Sequence, residues 1–152
     1  MIEYSKSDIA MEYLDAAIEE RELHQRYFAA MNLAGVAEEL FGKLVRVAGE
    51  KDRLTSTIED LSYIQEKLWG KMGWAKQSPK DLKKLLVSPK NSIKHMDNGA
   101  DSNAKLHFEV EDESKWMIQS AIRNMDALGL ERSEAVRRFL LKHADDDSLD
   151  KS

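Results

Sequence analysis

The amino-acid sequence predicts an all-helical bundle, and three observations carry that prediction. Only two prolines and seven glycines interrupt 152 residues, so breakers are too few to divide the chain into short pieces. Apolar residues return at three- and four-residue spacing along most of its length, the period of a helix buried on one side. Capping residues precede several of these runs and glycines follow them, where helices begin and end.

The first helix is expected to start at Ser7-Asp8, with an acid in the first turn, and to run to about Glu22 on Ile9, Tyr13, Ala17 and Ile18. A second spans about Gln25 to Gly49. Its apolar residues, from Tyr27 and Phe28 to Val45 and Val47, cover more than one face, which marks a central helix. Ala30, Ala34, Gly35 and Ala37 keep its middle thin, so another helix can approach closely, and Gly49 is the expected stop. A third spans about Lys51 to Lys71 with a stripe of Leu54, Ile58, Leu61, Ile64 and Leu68, ended by Gly70 and Gly73.

Ser78-Pro79 and Ser88-Pro89 each place a capping serine before a proline suited to the first helical position, so two short helices are expected there. Residues 97–103 read as a loop by composition. Leu106, Phe108 and Val110 alternate with polar residues and suggest a short extended piece. Asp112 is the expected cap of a helix to about Leu128, with Met117, Ala121, Ile122 and Met125 on one face. Ser133 starts a last helix carrying Val136, Phe139 and Leu140. Residues 1–144 are thus expected to form one domain, followed by an acidic, disordered tail over 145–152.

Composition narrows the function classes. Without cysteine, disulfides and thiolate metal sites are excluded, and a cytoplasmic location is the expectation. No apolar stretch approaches the ~20 residues that span a bilayer, so no membrane partner is expected. The net charge of −5 argues against generic nucleic-acid binding. The sign reverses locally, however. Between residues 71 and 95 stand Lys71, Lys76, Lys80, Lys83, Lys84, Lys90 and Lys94, with Asp81 the one acid. This run reads either as a solvated lysine face or as an anion-binding surface.

Within it, Lys90-Asn91-Ser92-Ile93-Lys94-His95 carries the most suggestive chemistry. If it opens a helix, the free N–H groups and the dipole of its first turn favour an anion. Asn91 and His95 are spaced to share a face. Lys90 would supply a cation, and the His95 imidazole, titrating near neutrality, could move the proton of a ribose hydroxyl. No cofactor or metal is needed for that chemistry. The bland alternative is a short helix carrying polar residues for solubility.

The segment resembles the motif of the HEPN superfamily, an arginine followed by a polar residue, often asparagine, with histidine five positions after the arginine. The matching residues are Lys90, Asn91 and His95. The chain is also similar to an uncharacterised bacterial branch with HEPN-like organisation. There an early helix carries a run like residues 33–42. An Asn-x-x-Lys-His segment with an acidic loop follows, matched by Asn91, Lys94, His95, Asp97 and Asp101. The likeness covers roughly residues 8–128. It implies a helical bundle that dimerises with its motifs facing a shared cleft. It further implies either a metal-independent ribonuclease of toxin–antitoxin or antiphage systems, or a non-catalytic binder of RNA or protein. Lys90 departs from the nuclease pattern. An arginine grips phosphate with a planar fork, whereas a lysine offers a point charge.

Other candidates rank lower. Arg138 and His143 repeat the motif's separation, but Phe139 follows the arginine, and a basic last turn explains the pair. Either Glu38 or Glu39 could be buried and would then need a partner, Lys94 or His95. Glu39 against His95 would orient the imidazole. Asp97, Asp101 and Asn103 do not match a calcium-loop spacing and read as a turn. Trp69, Trp74 and Trp116 could stack bases, but packing is the commoner use of tryptophan.

Two functions follow as expectations. One is an RNA-directed protein, nuclease or inactive binder, with His95 and Asn91 carrying the chemistry, Lys90 as phosphate clamp, and Lys84 and Lys94 as further RNA contacts. The other is a non-enzymatic interaction module that forms a homodimer or a partner complex.

Overall fold

The computed structural model describes residues 1–72, 75–94, 105 and 107–144, and within them the chain is an all-helical bundle. Six helices follow one another. They are α1 (Lys6–Glu22), α2 (Tyr27–Val47), α3 (Arg53–Ile64), α4 (Pro79–Ser92), α5 (Val110–Ala127) and α6 (Glu134–Lys142). No described helix is long and apolar enough to cross a membrane.

The helix ends follow from local chemistry. Ser5, not Ser7, caps α1: its hydroxyl accepts from the Asp8 N–H, and the Asp8 carboxylate accepts from the Ser5 N–H. Asp52 caps α3 by accepting from the Thr55 N–H, and Ser133 caps α6 by accepting from Val136. Gly49 (φ 85°) and Gly129 (φ 68°) take the left-handed conformation beyond α2 and α5. Glu50 then donates back to the Val45 carbonyl and Leu130 to that of Met125, satisfying carbonyls the helices leave open.

The core lies between α1, α2 and α5, and α6 closes one side of it. Ala10, Leu14, Ala17 and Ile18 of α1 meet Ala34, Ala37 and Phe41 of α2 and Met117, Ile118, Ala121, Ile122 and Met125 of α5, with Val136 and Phe139 of α6. The four-residue turn at 23–26 makes α1 and α2 antiparallel. Helix α5 runs beside α2 in the same direction: Phe108, at its entry, meets Phe28 near the start of α2, and Asn124 near its end reaches Glu38. Helix α6 runs along α1, from Ser133 on Asp15 to His143 on Glu22.

Helices α3 and α4 stand outside this core. Helix α3 buries no residue fully, and α4 buries only Leu82 and Lys90. Helix α3 continues past Ile64 through a π-helical stretch, Gln65–Trp69, into a last turn, Gly70–Met72, so Gly70 does not stop it as expected. The wider turn brings Gln65 inward. Its carboxamide accepts from the Gln77 N–H at 2.8 Å and donates to the Gln77 carbonyl at 3.4 Å, fixing the chain one residue before the Ser78 cap of α4.

Three further expectations are corrected. Ser88-Pro89 does not begin a second short helix, because α4 passes through both residues. Pro89 has no N–H for the carbonyl four residues back. That carbonyl belongs to Leu85, whose residue is exposed, so water can serve it. Helix α5 begins at Val110 rather than after Asp112. Glu111, Asp112 and Glu113 occupy its first turn, where the dipole favours them. No strand occurs among the described residues. Val110 is helical, and Leu106, the other end of the expected extended piece, lies outside them. The loop 97–103 and the tail 145–152 also lie outside the described residues.

Candidate functional site

Three pieces of chain form a cleft of about 640 Å³ beside the core. Helix α2 supplies Glu38, Glu39, Lys43 and Arg46. Asp52, Leu54, Thr55 and Ile58 come from the start of α3, and Lys83, Val87, Lys90, Asn91 and Lys94 from one side of α4 and the turn beyond it. The spacing explains the α4 face. Positions 83, 87, 90, 91 and 94 recur at three and four residues and lie above one another on a continuous helix.

Lys90 forms the floor. Its residue is 7% exposed, and its ammonium stands 3.6 Å from Glu38 and 3.9 Å from Glu39. The aliphatic stem reaches that position by crossing α2 at Gly35. A Cβ on residue 35 would stand 2.5 Å from Lys90 Cδ and 3.0 Å from Cγ. The glycine in the thin middle of α2 is therefore the channel for a lysine side chain. Burial raises the Glu38 carboxyl above the usual glutamate range, although the Lys90 charge opposes this. Glu39 is half exposed and pairs with Lys43 at 3.4 Å. Burial would raise it too, but Lys90 and Lys43 outweigh burial and hold it low.

A second ion pair closes the far end. Arg46 meets Asp52, which is 2% exposed and also caps α3. Asn124 of α5 fastens the wall from behind. Its carbonyl oxygen accepts from the Arg53 N–H at 2.7 Å and its amide donates to the Glu38 carbonyl at 3.2 Å. Gly42 leaves room for both, since a Cβ there would stand 3.2 Å from Asn124 Nδ2 and from Asp52 Oδ2. Among the described residues the cleft thus holds five cations (Lys43, Arg46, Lys83, Lys90 and Lys94) against three carboxylates. Burial, and then the charge of Lys90, keep the Lys94 amine below the usual lysine range.

Of the residues singled out by sequence, the structure gathers Lys90, Asn91, Lys94 and Glu39 into this one cleft. Lys84 is exposed on α4 and does not line it. His95 lies outside the described residues, and so does its expected contact with Glu39. Lys90 is in the last turn of α4 rather than the first, so the free N–H groups of a helix start are not beside it. The buried glutamate is Glu38, and its partner is Lys90 rather than Lys94. Sequence reasoning missed Lys83 as part of the site. The signal was present, since Lys83 and Lys90 are two turns apart, but it shows only once α4 is continuous through Pro89.

The competing Arg138 and His143 do not converge. Arg138 is exposed and bonded to Glu134 at 2.9 Å. His143 approaches Glu22 at 2.9 Å and Arg21 at 3.4 Å. Glu22 also takes Lys142 and Arg21, and Arg21 donates to Ser114 at 3.2 Å. Burial raises the Glu22 carboxyl, but the bonds from Lys142, His143 and Arg21 outweigh it and bring it down to about 2. This cluster joins the ends of α1 and α6 to the start of α5. Trp116 packs against the core, and Trp74 lies outside the described residues. Among the described residues no group of His, Asp and Glu is placed to hold a metal.

Comparison of the chain with protein-family models, with curated proteins and with solved structures finds no match.

Proposed function

We propose that the protein is an RNA-binding helical bundle that holds the phosphate backbone of a single strand in this cleft and does not cleave it. The observation that supports the reading is the row of Lys83, Asn91 and Lys94 on the α4 side of a cleft whose cations outnumber its carboxylates. Lys83 and Lys94 are separated by about 16 Å along the helix axis. A single phosphate cannot use both, whereas a repeating chain of phosphates can. The resemblance to HEPN-like proteins, through Lys90, Asn91 and His95, agrees with an RNA ligand. Cleavage is the weaker form of the reading. Lys90, at the position of the nuclease arginine, is engaged by two glutamates and offers a point charge without a fork.

Anisotropy of a fluorescein-labelled oligouridine tests this proposal. Binding should weaken steeply with salt, and the double variant K83E/K94E should lose at least about tenfold in affinity, since two phosphate contacts become repulsive. With EDTA present, neither the wild type nor His95→Ala should cut the RNA. Metal-independent cleavage that disappears in His95→Ala would restore the nuclease form. Binding indifferent to both salt and charge reversal would remove RNA from the cleft.

A second reading, a protein-interaction module, is favoured by a different surface. Tyr63, Ile64, Leu68 and Met72 are exposed along the outer end of α3 and its extension, a run of large apolar groups that suits a protein partner or a second copy. Sedimentation over a range of concentrations, compared with L68E, tests it. Self-association that L68E abolishes would support the homodimer, and a monomer at all concentrations would exclude it.

A further inference from the structure

We infer that Glu38 and Glu39 gate the cleft by holding the Lys90 ammonium in reserve, to be released to the incoming phosphate of a single strand. The inference rests on the reading of the cleft as an RNA site and adds how that site is regulated. Three observations carry it. The first is where Lys90 is held. Gly35 fixes the path of its stem, so the backbone of α2 places the ammonium on the cleft floor.

The second is how loosely the carboxylates hold it. Distances of 3.6 and 3.9 Å are longer than the ~2.7–2.9 Å of a charge-assisted hydrogen bond. An ammonium has three donors, and neither glutamate takes one at close range. The third is asymmetry between the two glutamates. Glu38 is buried and bound to stay, whereas Glu39 is half exposed and can turn toward Lys43 and water. A phosphate entering beside Lys94 meets a second cation whose more exposed carboxylate, Glu39, can leave. It also relieves the repulsion between the Lys90 and Lys94 ammonium groups, which lie one helical turn apart.

The groups that face Glu38 set the sign of any pH effect. Glu39, Lys43 and Arg46 share its helix, Asp52 stands at the start of α3, and Lys83, Lys90 and Lys94 face it from α4 and the turn beyond. Helix α5 presents the uncharged Asn124. Because burial raises Glu38 while Glu39 is held low, Glu38 takes up its proton first as pH falls. That proton removes the charge holding Lys90 and should tighten RNA.

The test is a double-mutant cycle read by anisotropy of labelled oligouridine across a salt series, with the wild type, E38Q, K90M and E38Q/K90M. The E38Q variant should bind about fivefold tighter, the order of one added phosphate contact, with a steeper salt dependence. In the K90M background E38Q should change nothing. Equal tightening in both backgrounds would reduce the effect to net charge and overturn the gate. So would wild-type binding that E38Q leaves unaltered. Wild-type protein that binds no RNA overturns the function proposed above and the gate with it. If K90M does not fold, a pH series decides. The gate requires wild-type binding to tighten as pH falls toward the ordinary glutamate range, and E38Q to lack that rise. A parallel pH response in both proteins would overturn it.

Discussion

Lys90 crosses α2 over Gly35 so closely that a methyl group on residue 35 would stand 2.5 Å from its Cδ. Alanine at 35 should therefore displace the lysine. In the wild-type background G35A is expected to cost about 1–2 kcal/mol, the overpacking penalty less the gain of up to about 1 kcal/mol from replacing a mid-helix glycine. In a K90A background the obstruction is gone, and the same change should stabilise. Urea unfolding of the four proteins reads the reversal of sign. A destabilisation of equal size in both backgrounds would show that Gly35 serves something other than Lys90.

Asn124 makes a second prediction. It is 2% exposed and joins α5 to α2 and to the start of α3 through two hydrogen bonds. Asn124→Ala leaves the buried Glu38 carbonyl and the Arg53 N–H short of a partner and should cost about 1–3 kcal/mol. Helix α3 is otherwise held by Arg46 on its Asp52 cap and by partly buried side chains, since none of its residues is fully buried. Hydrogen exchange in the variant should therefore accelerate first over Arg53–Ile64, with α1 changed only by the global loss of stability. Uniform acceleration along the chain would contradict this.

The helical bundle was legible because its signals are local. The Ser78 and Ser133 caps, the Gly49 stop and the apolar period of α5 each act within a turn or two. The joint at Ser88-Pro89 was misread because it repeats Ser78-Pro79 letter for letter, while its conformation is decided at long range. Leu82 and Lys90 anchor the flanking turns of α4, and Lys90 is anchored by Gly35, Glu38 and Glu39 on another helix. The parts of the cleft followed the same rule. Glycine and alanine in α2 announced a close approach but not by what, and a basic run announced cations but not which of them would be buried. The coupling of Glu22 to His143 joins positions 121 residues apart and has no local sign in the sequence.

That coupling gives a pH prediction. The Glu22 carboxyl titrates near 2 in the folded protein against 4.5 for an unperturbed glutamate. A depressed folded value means that its contribution is complete above about pH 4.5 and is lost as pH falls toward 2. The full shift corresponds to at most about 3–4 kcal/mol, and solvent screening brings the expectation to about 1–2 kcal/mol. Denaturation curves of the wild type and E22Q should differ by that amount at neutral pH and converge through this acidic window. A difference that persists at pH 2 would mean that the carboxylate charge is not what joins α1 to α6.

Pro89 supplies the last prediction. Within α4 it denies the Leu85 carbonyl an N–H donor, and Ser88 before it is held in a helical conformation that proline disfavours. Replacing it with alanine supplies the missing hydrogen bond, worth about 1 kcal/mol, and a better helix former. Pro89→Ala should therefore raise the thermal midpoint, and its helical signal should not fall. Pro89 lies next to Lys90 and also lines the hollow bounded by Phe108 and Trp116. A fall in the thermal midpoint would contradict that expectation and make the ring a packing element that fixes the direction of the last turn. In that case the alanine variant would lose stability, and Lys90 would lose its register over Gly35. A loss in Pro89→Ala that disappears in the K90A background would trace that role to the lysine itself.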